Sequence, residues 1–196
     1  MLTEEYSQAQ TESRRLASIA REAGERVQLG QAAVAFVPRF QQAAKDYAGT
    51  EDAVQFLTWI TLNAGSDADA TNAAVNTLVA DHIASEAWTT LASRLAGLSR
   101  TLGDERVAET MASVLAGNPH DAVKAEIFWA RGNKVIRDAY GKPAPEDKRL
   151  EAIADLRKVR EMIPSGDRAE AAKRGLFELE NLQNGMPAPE IVGPDI

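Results

Sequence analysis

Any side-chain chemistry in this sequence has to begin from two histidines, His82 and His120, because the chain contains no cysteine. Without a thiolate there is no disulfide, no thiolate metal site and no cysteine nucleophile. The histidines lie far apart in the sequence. Neither belongs to the H-x-x-x-H or H-E-x-x-H spacing that sets two imidazoles on one helix face around zinc. His82 falls where a helical pattern ends, and a partial positive charge there suits the helix dipole. His120 falls in the first turn of a later helix and reads as an exposed turn residue. Asp67-Ala68-Asp69 begins like a calcium loop, but the glycine and the later bidentate glutamate do not follow. It reads as a helix cap. Ser93, Ser99 and Ser113 lie in helical patterns with no base close in sequence. No G-x-S-x-G, P-loop or G-x-G-x-x-G motif occurs. The expectation is a chain that is not itself an enzyme, with no catalytic, cofactor-binding or metal residues and no cofactor. A helical hydrolase, its triad assembled only in space, is the enzymatic alternative.

Charge narrows the partners. Lys and Arg total 22 against 29 Asp and Glu, for a net charge of −7. A nucleic-acid binder presents a basic stripe. The nearest stretches here are Lys148-Arg149 with Arg157-Lys158-Arg160, and Arg168 with Lys173-Arg174. Both are interleaved with acidic residues at helical spacing, so they read as solvated faces supported by i,i+3 and i,i+4 pairs. Nucleic acid is not an expected partner. No apolar run approaches the roughly 20 residues of a membrane span. Met1-Leu2-Thr3-Glu4-Glu5-Tyr6 is too acidic and polar for a signal peptide. Trp59, Trp88 and Trp129 each fall on an apolar helical face, which makes them core residues, or makes one of them the anchor of a peptide groove. Gly132, inside Arg131-Gly132-Asn133, allows a close helix contact or a kink.

The elements that would carry these residues are helical. Apolar residues make up 44% of the chain and aromatics only 6%, and Ala, Leu, Glu, Arg and Gln fill the periodic stretches. Strand-length clusters of β-branched residues are few. Thr50-Glu51-Asp52, Ser66-Asp67, Ser85-Glu86, Gly103-Asp104-Glu105 and Asn118-Pro119-His120-Asp121 each have the composition of a helix start. About 16 to 19 residues separate them, enough for three to four turns and a short loop.

The pattern predicts helices over 3–27 (Leu16, Ile19, Ala20, Ala23 and Val27 inward), 33–47 (Phe36, Phe40, Ala43, Ala44, Tyr47), 52–63, 67–82 and 86–98. It continues with 105–116 (Val107, Ala108, Met111, Val114, Leu115), 121–140, 147–162 (Leu150, Ile153, Leu156, Val159) and 168–183 (Ala172, Leu176, Leu179, Leu182). Pro38 fits the first turn of the second helix or delays its start. The fold expected is all-α, with about nine helices stacked as antiparallel hairpins. A hairpin with its loops takes about 34 to 36 residues, the size of a tetratricopeptide-type unit. No unit shows the Trp-x-x-Leu-Gly start of that repeat, so the alternatives are tetratricopeptide-like stacking and an irregular bundle.

After residue 183 the pattern changes. Gly185-Met186-Pro187-Ala188-Pro189-Glu190-Ile191-Val192-Gly193-Pro194-Asp195-Ile196 is extended in character and punctuated by proline. The domains expected are a helical region over 1–183 and an extended segment over 184–196. That segment resembles the lead-in to the first strand of TlpA-like and redoxin thioredoxin-fold domains, where Gly-x-Pro-Ala-Pro precedes the strand. Gly185, Pro187, Ala188 and Pro189 match it. Leu176-Phe177-Glu178-Leu179-Glu180-Asn181-Leu182 resembles the helix feeding that strand in larger bacterial members. Phe36 to Trp59, with Pro38, Arg39, Phe40, Ala53 and Phe56, is similar to the helical region those members carry ahead of the redox domain. The resemblance implies a non-catalytic scaffold or protein-interaction domain in front of a thiol–disulfide oxidoreductase domain absent from this chain. That chemistry needs an attacking thiolate, so no functional residue of the family can be placed here. The partners implied are a protein or peptide and the thioredoxin-like domain in cis. Family resemblance would make the protein exported or periplasmic if a leader was removed, and otherwise it would be cytoplasmic. The alternative is a stand-alone helical peptide-binding module with a disordered Pro-rich end.

Overall fold

Leu78, Leu95, Ile127, Leu156 and Leu179 have no measurable exposure, and each sits on a helix. The computed structural model describes residues 2–22, 31–65, 67–139 and 143–182. Among these residues the elements are helices α1 (Leu2–Glu22), α2 (Gln31–Asp46), α3 (Glu51–Asn63), α4 (Ala68–Asp81), α5 (Trp88–Leu95), α6 (Ser99–Leu102), α7 (Asp104–Gly117), α8 (Asp121–Asp138), α9 (Glu146–Met162) and α10 (Asp167–Asn181), with a 3₁₀ turn at Ala96–Leu98. No strand occurs among the described residues. The fold is all-α. The segment over 184–196, expected to be extended, lies outside the described residues.

The chain forms two compact units. Met1–Ala87 and Leu98–Ser113 make the first, and Trp88–Gly97 and Val114–Ile196 the second.

In the first unit, α2 and α3 form an antiparallel hairpin. Tyr47, just past the end of α2, meets Phe56, while Phe40, farther back along α2, stacks on Trp59, farther along α3. Gly49 turns the chain between them at a φ of 76°, a conformation that favours glycine. Thr50 then takes the extended cap position, and Glu51 and Asp52 fill the first turn at the positive end of the dipole. Asp67 caps α4, its carboxylate accepting from the Ala70 amide at 2.9 Å, which bears out the cap reading of Asp67-Ala68-Asp69. The Arg106 guanidinium on α7 donates to the Asn76 side-chain carbonyl on α4.

In the second unit, α8 and α9 run antiparallel. Along them Phe128 meets Lys158, Arg131 pairs with Asp155, and Gly132 faces Leu156 and Ala152. Arg149, early in α9, donates to the Leu179 carbonyl, late in α10, so this pair is antiparallel as well. Their shared core holds Phe128, Ile153, Leu156, Val159, Leu176 and Leu179.

Several details differ from the sequence reading. Leu16 and Ile19, expected inside on α1, are 53% and 50% exposed, while Tyr6 and Ala17 are buried. Ala23 and Val27 lie outside the described residues. The buried stripe of α1 is rotated by one position because its strongest partners are aromatic: Tyr6 packs edge-on against Phe36, Phe40 and Trp59. Pro38 sits inside α2 rather than in its first turn. The carbonyl that loses its amide partner belongs to Val34, which is on the solvent side of the helix, where water can satisfy it. Tyr47, Leu150 and Leu182 are exposed, and so is Ala108. Tyr47 and Leu182 lie beyond the last helical residue, past the turn that packs. The stretch expected to be one helix from Glu86 ends as an α-helix at Leu95 and tightens into the 3₁₀ turn that carries Gly97, before the four-residue α6.

Candidate functional site

The residues with the most electrostatic organisation lie on α8, in the second unit. Asn118 starts the helix by accepting the His120 amide at 2.9 Å, and His120 is the N-cap. From there Glu126, Trp129, Asn133 and Arg137 recur at helical spacing, so they share one face. Glu126 is nearly buried, with its side chain 10% exposed. It accepts two parallel hydrogen bonds from Arg168 on α10, at 2.6 and 2.7 Å. Bidentate, charge-assisted pairs of this kind fix orientation as well as adding energy. The same guanidinium lies over the Trp129 ring, 4.8 Å from its centroid. A fixed acid holds a fixed base, and the base covers the indole.

Beside Trp129 is a shallow cleft of about 270 Å³. Asn133 and Arg137 continue its α8 wall. The facing wall is the C-terminal end of α5 and the turn after it, which contribute Ser93, Arg94 and Gly97. Ser93 donates to the Thr90 carbonyl at 3.1 Å. Neither Arg94 nor Arg137 has a carboxylate at ion-pair distance among the described residues.

A second ion pair is structural. Arg131 reaches Asp155 at 2.8 Å, with the arginine 43% and the aspartate 5% exposed. Burial pushes the Asp155 carboxyl above its ordinary range, and the opposing pull of Arg131 and Lys158 does not cancel it. The folded protein therefore holds this proton more tightly than the unfolded chain. A carboxyl whose folded value is raised contributes full stability at low pH and loses part of it as pH rises through the unfolded and then the folded value. Asp155→Asn removes that ionisation while keeping one acceptor for Arg131. We expect the stability of the variant relative to the native chain to be more favourable at pH 7 than at pH 3, measured by urea unfolding at both. A relative stability that falls between pH 3 and pH 7 would show that the attraction of Arg131 outweighs burial.

The first unit carries a different concavity. Ala44, Leu57, Ile60 and Ala74 line an apolar groove of about 430 Å³ across α2, α3 and α4, with Lys45 and Gln41 along it.

The remaining residues singled out in the sequence are dispersed. His82 is the C-cap of α4, at the helix end where the sequence placed it, and it is buried. His120 is half-buried rather than exposed. Ser113 donates to the Glu109 carbonyl one turn earlier. Trp59 and Trp88 are buried, whereas Trp129 is half-buried. Gly132 serves a close helix contact: a Cβ there would lie 2.9 Å from Leu156. Among the described residues no group of three or more His, Cys, Asp or Glu could hold a metal ion. No helix among them is long and apolar enough to cross a membrane. Arg94 and Arg137 were not legible as a pair. The spacing of Trp129, Asn133 and Arg137 marks a face of α8, but Arg94 joins it only through the packing of α5 on α8. No family model, curated protein or solved structure matches this chain.

Proposed function

We propose that this chain is a non-catalytic helical scaffold or protein-interaction domain that precedes a TlpA/redoxin-like thiol–disulfide oxidoreductase domain. The observation that carries the reading is the run Gly185-Met186-Pro187-Ala188-Pro189 into Glu190-Ile191-Val192-Gly193, placed directly after a wholly helical region. Because the chain has no cysteine, any thiol–disulfide chemistry in this reading belongs to the proposed neighbouring domain. Paired antiparallel helices suit the supporting role, since hairpin stacks expose broad faces to a partner in cis or to a client.

The coding sequence beyond the Ile196 codon tests this reading. A polar turn, an apolar strand and then Trp-Cys-x-x-Cys would support it. A stop codon at that point would overturn it in favour of a stand-alone peptide-binding module. The apolar groove across α2, α3 and α4 is the observation that favours that second reading.

A further inference from the structure

Two arginines, Arg94 and Arg137, line one small cleft, and neither has a carboxylate at ion-pair distance among the described residues. The chain carries seven excess negative charges, yet only six arginines find an acidic neighbour among the described residues. Arg15, Arg39, Arg106, Arg131, Arg157 and Arg168 all do so. Arg94 and Arg137 have none among the described residues, and both line the same cleft, one from α5 and one from α8. The Asn133 carboxamide, one turn before Arg137 on α8, forms no side-chain hydrogen bond among the described residues.

We propose that the cleft between the end of α5 and α8 binds an acidic peptide segment of a partner protein, with Arg94 and Arg137 receiving its carboxylates and Asn133 its backbone. Each guanidinium presents a planar fork of donors that matches a carboxylate. The carboxamide has both a donor and an acceptor, as a peptide backbone requires. Trp129 supplies a flat apolar wall, and Arg168, anchored by Glu126, holds that wall in place before anything binds.

The shape of the cleft favours a peptide over a free small molecule. Sites for small ligands enclose most of the ligand surface. Here Ser93, Arg94, Gly97 and Arg137 are all exposed. At Gly97 a Cβ would meet nothing within 4 Å, so a chain can run out over that edge. The inference rests on the interaction role proposed above and on no feature of residues 185–196.

The test is fluorescence anisotropy of a fluorescein-labelled hexapeptide of alternating glutamate and alanine, titrated with the full 196-residue chain at 0.15 M salt. At that ionic strength remote charges are screened beyond about 8 Å, so contact pairs dominate. The same peptide with glutamine for glutamate should bind at least about tenfold more weakly. Arg94→Ala and Arg137→Ala should each weaken the acidic peptide by about tenfold, and together abolish binding. Arg160→Ala removes an exposed arginine of the same unit outside the cleft and should change nothing. All these positions are exposed, and unchanged far-ultraviolet circular dichroism confirms that the variants are folded. Three results would overturn the proposal: no binding of the acidic peptide, equal binding of the glutamine peptide, or a loss with Arg160→Ala as large as with Arg94→Ala. Capture of free glutarate or inorganic phosphate without the peptide would also overturn it, assigning a small anion instead. None of these results bears on the coding sequence downstream, so failure of the cleft and failure of the redox-domain reading are distinguishable.

Discussion

Trp59→Ala lowers the unfolding free energy by about 3 to 5 kcal/mol, the range for truncating a buried aromatic residue. Trp59 is only 8% exposed. Its ring lies flat on Phe40, with centroids 3.6 Å apart and planes 9° from parallel. Tyr6 meets it edge-on at 4.8 Å and 88°. One indole therefore joins α1, α2 and α3, and alanine would leave all three facing a void. Aromatic contacts add roughly 0.5 to 1.5 kcal/mol per pair beyond burial. One term opposes the loss. The Trp59 Nε1 is buried with no hydrogen-bond partner among the described residues. An unmade hydrogen bond of that kind costs about 1 to 3 kcal/mol, which truncation relieves. The balance still falls on the side of destabilisation, in the lower half of the range. Trp59→Phe, which keeps a ring and removes the orphan N–H, should cost clearly less than alanine. Urea midpoints read both. A midpoint for Trp59→Ala within error of the native chain would mean that this aromatic cluster contributes nothing to the first unit.

The helices themselves were legible because their two signals are local. Apolar residues recur every 3.6 positions, and a cap such as Asp67 acts within three residues of itself. What local signals miss is which neighbour a face will choose. Leu16 and Ile19 are apolar and correctly spaced, yet α1 turns Tyr6 and Ala17 inward because the partners of Tyr6 sit on α2 and α3. Buried threonines escape a purely apolar pattern for another reason. Thr61, Thr71 and Thr110 each satisfy the hydroxyl on the carbonyl one turn back, at 2.9, 2.8 and 2.9 Å, and so pass as core residues. The cleft was the least legible feature. Arg137 resembles any exposed arginine until α5, which packs on α8 out of sequence order, brings Arg94 into the same cleft.

The second large effect concerns Leu156, which has no exposed surface and fills two gaps at once. A Cβ at Gly132 would lie 2.9 Å from its Cγ and Cδ2, and a Cβ at Gly175 would lie 3.0 Å from its Cδ1. Cδ2 thus occupies the space that Gly132 leaves empty on α8, while Cδ1 shares the space at Gly175 on α10 with Ile136, whose Cδ1 a Cβ there would meet at 2.8 Å. Leu156→Ala should cost about 2 to 5 kcal/mol through lost burial and the cavity left behind. Gly132→Ala brings two terms of opposite sign. Alanine gains about 1 kcal/mol of helix propensity over glycine. Against this, Leu156 would have to move away from Gly132 in a core where it has no exposed surface and already lies close to Gly175. Overpacking of this kind costs about 1 to 3 kcal/mol, so the single variant should be destabilised on balance. In the Leu156→Ala background the obstruction is gone. Gly132→Ala should there become neutral or stabilising, by up to about 1 kcal/mol. The two changes are then non-additive, with a coupling of about 1 to 3 kcal/mol measured by a double-mutant cycle in urea. Additive losses would show that α8 and α9 part enough to accept the new methyl, and that the close approach at Gly132 is not what sets their packing.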